Sequence, residues 1–246
     1  MGSIIAGRKP VMEALKAGTK IEKVVFLVGV QGRVIQEIRD LARSHAVECA
    51  EASRQAFREL ADDVTTQGVL AVIQAKQLIT LGDLLDRVHS THQNGFFLVC
   101  DEIEDPHNLG ALIRTAECAG ANGVILPKHH SAPVTSTVIK ASAGATEHVP
   151  VAEVTNIVQA LTTLKEAAYW IVGLAAEGDR PYTAIDYSGP IAIVVGNEGR
   201  GIRRLVREHC DFLALIPLYG KIGSLNASVA GALVMFEVAR QRSART

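Results

Sequence analysis

The sequence of 246 residues contains no run of about 18 uninterrupted apolar residues, so no membrane-spanning helix is predicted. Its start, Met1-Gly2-Ser3-Ile4-Ile5-Ala6, lacks the basic stretch and apolar core of a secretory signal, and Ala6 stands where a myristoylation signal wants Ser or Thr. A cytoplasmic protein is expected. Cysteine is sparse: Cys49, Cys100, Cys118 and Cys210 lie far apart without a Cys-x-x-Cys pair, which indicates neither a zinc site nor a disulfide framework. They are expected as buried small apolar residues, and no metal is expected. A net charge of −1 lacks the bulk basicity of many nucleic-acid-binding proteins, so any such contact has to come from local patches. No dinucleotide fingerprint, P-loop, internal repeat or low-complexity tract occurs.

What is present is ordinary globular composition, in a chain long enough for one large α/β domain or two smaller ones. Residues 4 to 76 read as a small α/β unit. A helix is predicted from Pro10 to Gly18, a strand from Lys23 to Val28, and a helix from Gln31 to Ser44 with Val34, Ile35, Ile38, Leu41 and Ala42 on one face. A further helix capped by Ser53 and a strand from Gly68 to Ala75 close it. Residues 77 to 94 read as a connector with a short helix after Thr80, where Asp83 completes a capping box.

A larger domain is predicted from Gly95 to the end. Its strand candidates are Phe96 to Cys100, Gly123 to Leu126, Glu147 to Val151, Tyr169 to Leu174, Ile191 to Val195 and Phe212 to Ile216. Continuous apolar runs of this kind suit parallel strands covered on both faces. Helices from Leu109 to Ala119, Asn156 to Ala167 and Asn226 to Arg242 fill the gaps, giving an open, mainly parallel sheet that binds ligands at the carboxyl ends of its strands.

Three segments follow strands. The first, Asp101 to Gly110, runs into a helix carrying Arg114; Asn108 reads either as the helix cap or as a functional amide. The second, Gly196-Asn197-Glu198-Gly199-Arg200-Gly201, is a glycine-rich turn, either generic or built for close approach of a ligand. Behind it Arg200, Arg203, Arg204 and Arg207 recur at helical spacing, as a phosphate-tracking stripe or a solvated face. The third, Ser224-Leu225-Asn226-Ala227-Ser228, enters an apolar helix and holds residues that also serve as ordinary caps.

In order and spacing the three resemble the motifs of the SpoU branch of the SPOUT RNA methyltransferases: D-x-x-x-D-P-x-N-x-G-x-x-x-R, G-N-E-x-x-G and S-L-N-x-S, matched at every motif residue within residues 95 to 240. Residues 4 to 76 are similar to the L30e-like RNA-binding domain that precedes the catalytic domain in bacterial enzymes methylating a guanosine of 23S ribosomal RNA. That match rests on Gly7-Arg8-Lys9-Pro10-Val11 and Gln67-Gly68-Val69. Lys plus Arg number 11 against 9 Asp plus Glu in this part and 14 against 17 in the rest, a small basic excess in the expected place.

The resemblance implies a deep trefoil knot, a homodimer that completes the active site, and transfer of a methyl group from S-adenosylmethionine to a ribose 2′-hydroxyl. It implies a cofactor pocket of Leu174, Gly196, Asn197, Gly201, Ile216, Leu218 and Leu225, and a catalytic set of Asn108, Arg114, Glu198, Ser224 and Asn226. An arginine is too basic to serve readily as a base, so Arg114 is expected to grip phosphate and steady a developing alkoxide, with the proton passing to Glu198 or water. The alternatives are methylation of transfer RNA or of a 23S adenosine, and a non-catalytic RNA-binding protein on the same fold.

Overall fold

Alternating strands and helices make up the first part of the chain: β1 (Ser3–Ala6), α1 (Arg8–Lys16), β2 (Ile21–Leu27), α2 (Arg33–Ser44), β3 (Glu48–Ala52), α3 (Arg54–Ala61) and β4 (Val69–Ile73). The computed structural model describes residues 3–61, 66–73, 77–91 and 94–243, so the expected strand end at Ala75 lies outside it. The strands form a mixed sheet ordered β1-β4-β2-β3, in which β2 and β3 run parallel and the other neighbours antiparallel.

Period-two alternation sorts these side chains to two faces. Val24, Phe26, Val69 and Ala71 pack with Val11 and Leu15 of α1 and Ile35 and Ile38 of α2, while Val25, Leu70 and Val72 pack with Phe57 of α3. The helix predicted from Pro10 starts at Arg8, with the proline inside the first turn, where its missing N–H leaves no bond unmade. Strands β1 and β3 are additions to the predicted elements. Both are edge strands; β1 is only four residues long, and the apolar run of β3 is broken by Glu48 and Glu51.

The second unit starts at Gln77, so the predicted connector is largely part of it. Helix α4 (Leu81–His89) has the capping box expected of Thr80 and Asp83, and Leu84, Leu85 and Val88 are buried beside Phe97, Val99 and Ile125. There follow β5 (Phe96–Asp101), α5 (Pro106–Cys118), β6 (Gly123–Pro127), α6 (Ser136–Ala141), β7 (Val151–Val154), α7 (Ile157–Glu166), β8 (Trp170–Leu174), β9 (Arg180–Pro181), β10 (Ile191–Gly196), α8 (Arg204–Glu208), β11 (Phe212–Leu215) and α9 (Ala227–Ser243). The sheet order is β7-β6-β5-β10-β8-β11-β9, with every pairing parallel.

Apolar layers cover both faces of this sheet. Phe96, Leu98, Val124, Ile193 and Val195 face Leu109 and Leu112 of α5 and Val234 and Met235 of α9, while Phe97, Val99, Ile125 and Val194 face α4 and α7. The strand expected over 147 to 151 begins at Val151, because Pro150 has no N–H for the ladder and residues 145–147 form a short 3-10 turn. Of the cysteines expected inside, Cys100 is buried, Cys49 and Cys210 are half-buried and Cys118 is exposed. Burial raises the Cys210 thiol to about 12. Among the described residues no helix is long and apolar enough to cross a membrane, and no His, Cys, Asp and Glu cluster is arranged to hold a metal ion.

The carboxyl end of α9 is fastened by Arg242, whose guanidinium donates to the carbonyls of Asn94 (2.7 Å), Gly95 (3.2 Å), Tyr187 (3.2 Å) and Gly189 (2.8 Å). Gln241 adds bonds to Ile185 and Tyr187. Replacing Arg242 by Ala strands several acceptors at once, and roughly 2 kcal/mol or more of stability is expected to be lost. Urea unfolding measures this, and a change within about 0.5 kcal/mol contradicts the fastening role.

Candidate active site

Asp105 and Pro106 decide how the first motif enters its helix. The Asp105 carboxylate accepts from the His107 N–H at 2.9 Å as the N-cap, and Pro106 takes the first helical position. Asn108 is therefore not the cap that one reading of the sequence expected. Inside the first turn and 8% exposed, it is free for tertiary bonding.

Asn108 Nδ2 donates to Glu198 Oε1 at 2.9 Å, and Asn108 Oδ1 accepts from Asn226 Nδ2 at 2.9 Å. Asn226 Nδ2 also donates to the same Glu198 Oε1. One residue from each motif, from positions 90 and 118 apart along the chain, thus closes a triangle of hydrogen bonds. Asn226 Oδ1 meanwhile accepts from the N–H of Ser228 (2.9 Å) and Val229 (3.3 Å), so its capping role is present as well. Both donors fall on one carboxylate oxygen, and Glu198 Oε2 has no protein donor among the described residues.

Backbone packing shapes the glycine-rich turn. A Cβ on Gly196 would lie 2.3 to 2.4 Å from backbone atoms of Gly201 and Ile202, a contact that no rotamer relieves. Asn197 and Gly201 exchange backbone hydrogen bonds (3.1 and 2.8 Å), Asn197 Oδ1 accepts from Gly199 N at 3.0 Å, and Asn197 Nδ2 donates to the Glu102 carbonyl at 3.2 Å.

The turn is anchored at its far end by a pair that the sequence pattern does not single out. Asp101 is fully buried at the end of β5, where it accepts from Arg203 N (2.9 Å) and from Arg203 Nε (2.8 Å). That side-chain bond holds the guanidinium pKa above its ordinary value. The signal that could have found it is an acid terminating an apolar strand, which burial obliges to find a partner.

The arginine stripe does not form. Helix α8 spans only Arg204–Glu208, because Arg203 is drawn to Asp101 and Gly201 holds a left-handed conformation at φ 67°. Each of the four guanidinium groups has a carboxylate: Arg200 with Glu102 and Glu104, Arg203 with Asp101, Arg204 with Glu208, and Arg207 with Glu177.

Leu174, Gly196, Asn197, Gly201, Ile216, Leu218 and Leu225 all line one cavity of about 250 Å³, together with Glu198 and Ser224. Its walls also include Val195, Ile202, Ala214, Ala227 and Ala230, which no motif indicated because their apolar character reads as core. Arg114 stands apart. It is exposed on α5, outside this cavity, and has no hydrogen bond or ion pair among the described residues. A second, apolar groove is lined by Ala111 and Thr115 of α5 with Val229, Ala232, Leu233 and Phe236 of α9. Val229 and Phe236 are about half exposed at 48% and 51%.

Known proteins share this architecture. Residues 95–236 match the model of the SpoU rRNA Methylase family, and residues 4–79 match that of RNA 2′-O ribose methyltransferase substrate binding. The putative TrmH family tRNA/rRNA methyltransferase YacO of Bacillus subtilis (strain 168) is 39% identical over 239 residues, covering 97% of this chain and 96% of that protein. The SpoU methyltransferase AviRb of Streptomyces viridochromogenes, solved with its cofactor AdoMet, is 25% identical with a TM-score of 0.66 over 98% of this chain and 90% of that one. An AdoMet-bound rRNA methyltransferase of Sinorhizobium meliloti is 25% identical with a TM-score of 0.66, over 97% and 87%. Matched by the family model over the whole sheet that carries the three motifs, and by a full-length relative, the chain belongs to the SpoU rRNA Methylase family.

Proposed function

We propose that this protein transfers a methyl group from S-adenosylmethionine to the ribose 2′-oxygen of a guanosine in 23S ribosomal RNA, acting in the cytoplasm as a homodimer. The observation that carries the reading is the Asn108–Glu198–Asn226 triangle, whose Glu198 also lines the cavity. Family membership makes the activity that of an RNA methyltransferase. The ribosomal substrate is supported by the match of residues 4–79 to a substrate-binding model and by similarity to the Sinorhizobium rRNA enzyme along nearly the whole chain. The non-catalytic alternative finds no support in a chain that keeps Asn108, Arg114, Glu198 and Asn226.

The cavity suits the cofactor. Leu174, Ile216, Leu218 and Leu225 offer apolar walls for a base, while the turn from Gly196 to Gly201 offers backbone polar groups, the combination a small-molecule site needs. S-adenosylmethionine, when bound, supplies an electrophilic methyl carbon. The chain's own task is to align the 2′-oxygen with it and take away the proton. Asn108 and Asn226 hold the Glu198 carboxylate through Oε1, which leaves Oε2, without a protein donor among the described residues, to accept that proton. Ser224, on the cavity wall, holds the cofactor side of the same space.

Arg114 steadies the phosphate and the developing alkoxide through its guanidinium. Its position outside the cavity of its own chain favours action across the dimer. The half-exposed apolar groove of α5 and α9, next to Arg114 at Thr115, supports burial there of a second copy. The return of α9 onto α5 and β10, with β10 inserted between β5 and β8, supports the knotted path implied by the family resemblance.

Arg114→Ala is expected to lower turnover at saturating substrates by roughly a hundredfold or more while the affinity for S-adenosylmethionine stays within about twofold. Wild-type turnover in that variant removes the catalytic assignment. Asp101→Asn unpairs Arg203 and loosens the turn, so calorimetric titration should find S-adenosylmethionine bound roughly tenfold more weakly, about 1.4 kcal/mol. An unchanged affinity contradicts the anchoring role.

A further inference from the structure

Arg200, Arg203, Arg204 and Arg207 each have a carboxylate partner, which raises the question of what else meets the RNA backbone beside the cavity. Strands β6, β5 and β10 are parallel neighbours, so the segments leaving their carboxyl ends emerge on one edge of the sheet. From β5 leaves the first motif and from β10 the glycine-rich turn. From β6 leave Lys128, His129 and His130, three consecutive exposed residues. Two strand spacings, about 10 Å, separate this tract from the glycine-rich turn.

The tract is also tied to the first motif. Ala132 N donates to the Ile103 carbonyl at 2.8 Å, and Ser131 Oγ donates to the same oxygen at 3.2 Å. His130 adopts a left-handed conformation at φ 57°, which a non-glycine residue rarely takes, so the chain turns sharply within the tract.

Most of the acids close in sequence and space are committed elsewhere. Asp101 and Glu102 pair with Arg203, Glu104 pairs with Arg200, and Asp105 caps α5. Glu153 of β7 stands beside Leu126 in register and forms no ion pair among the described residues. Lys128, His129 and His130 likewise have no carboxylate partner among the described residues. A cationic and imidazole surface without internal partners, on the edge where the active site opens, fits a polyanion.

We propose that Lys128, His129 and His130 form a contact surface for the sugar–phosphate backbone of the RNA strand that leads to the modified nucleotide. This rests on the RNA-methylation reading. The surface adds no chemistry to the methyl transfer; it sets affinity and register for the strand.

The test uses the full-length protein and an unmodified 23S RNA transcript, with binding followed by fluorescence anisotropy across a series of salt concentrations. Lys128→Glu, and a Lys128→Ala/His129→Ala/His130→Asn variant that keeps a residue tolerant of the left-handed turn, should bind the transcript roughly tenfold more weakly at low salt. The slope of log affinity against log salt should shrink by about 1 for each phosphate that the variant no longer neutralises. Lys128→Arg should bind like wild type, and all variants should titrate S-adenosylmethionine normally, which excludes misfolding as the cause. Wild-type affinity and slope in both disruptive variants overturn the surface and leave the methylation reading standing. Failure of the wild-type protein itself to bind the transcript overturns both.

Discussion

A carboxylate with no exposure, at the end of an apolar strand, has to be paired, and in this protein Arg203 pairs it. Because the partner lies just past the glycine-rich turn, the pairing fixes both ends of that turn to the sheet. Gly196 leaves on β10, next to β5, and Arg203 returns to Asp101. Between these anchors Asn197 spans the turn and reaches the Glu102 carbonyl. Glu198, on this turn, accepts from Asn108 and Asn226. Breaking a buried pair leaves an uncompensated charge that the surrounding protein has to accommodate. The geometry of the site therefore depends on an interaction outside the Asn108–Glu198–Asn226 triangle.

The same pairing explains why the arginines at helical spacing do not act as a stripe. That spacing from Arg200 to Arg207 is a fact of the sequence, but tertiary demand for Arg203 delays the helix to Arg204. Each of these guanidinium groups serves a neighbouring acid. Among the described residues, Arg114 on α5 and Lys128 after β6 have no carboxylate partner. Net charge near zero is compatible with RNA chemistry when the contacts come from local patches.

The larger sheet was legible because its strands are covered on both faces, so Phe96 to Cys100 and Ile191 to Val195 read as unbroken apolar runs. Edge strands β1 and β3 were not, since they sit at the margins of the core, β1 is four residues long and β3 is interrupted by Glu48 and Glu51. The motif residues were legible as types at fixed spacing, whereas their convergence on one site depends on contacts across 90 and 118 positions that spacing does not encode. Asn108 shows the limit most clearly: a good cap by type, displaced from that role because Asp105 and Pro106 start the helix earlier. Asp101 opens the first motif by type, but its burial and its pairing with Arg203 are visible only once the strand order is known.

Transfer of a methyl group to ribose is the claim on which the functional reading turns. Its most direct test incubates the purified protein with tritiated S-adenosylmethionine and separate pools of unmodified 23S, 16S and transfer RNA, then digests each pool to nucleosides. Label is expected in 2′-O-methylguanosine from 23S RNA. Absence of label from the ribose 2′-oxygens of every pool, with cofactor binding intact, contradicts it.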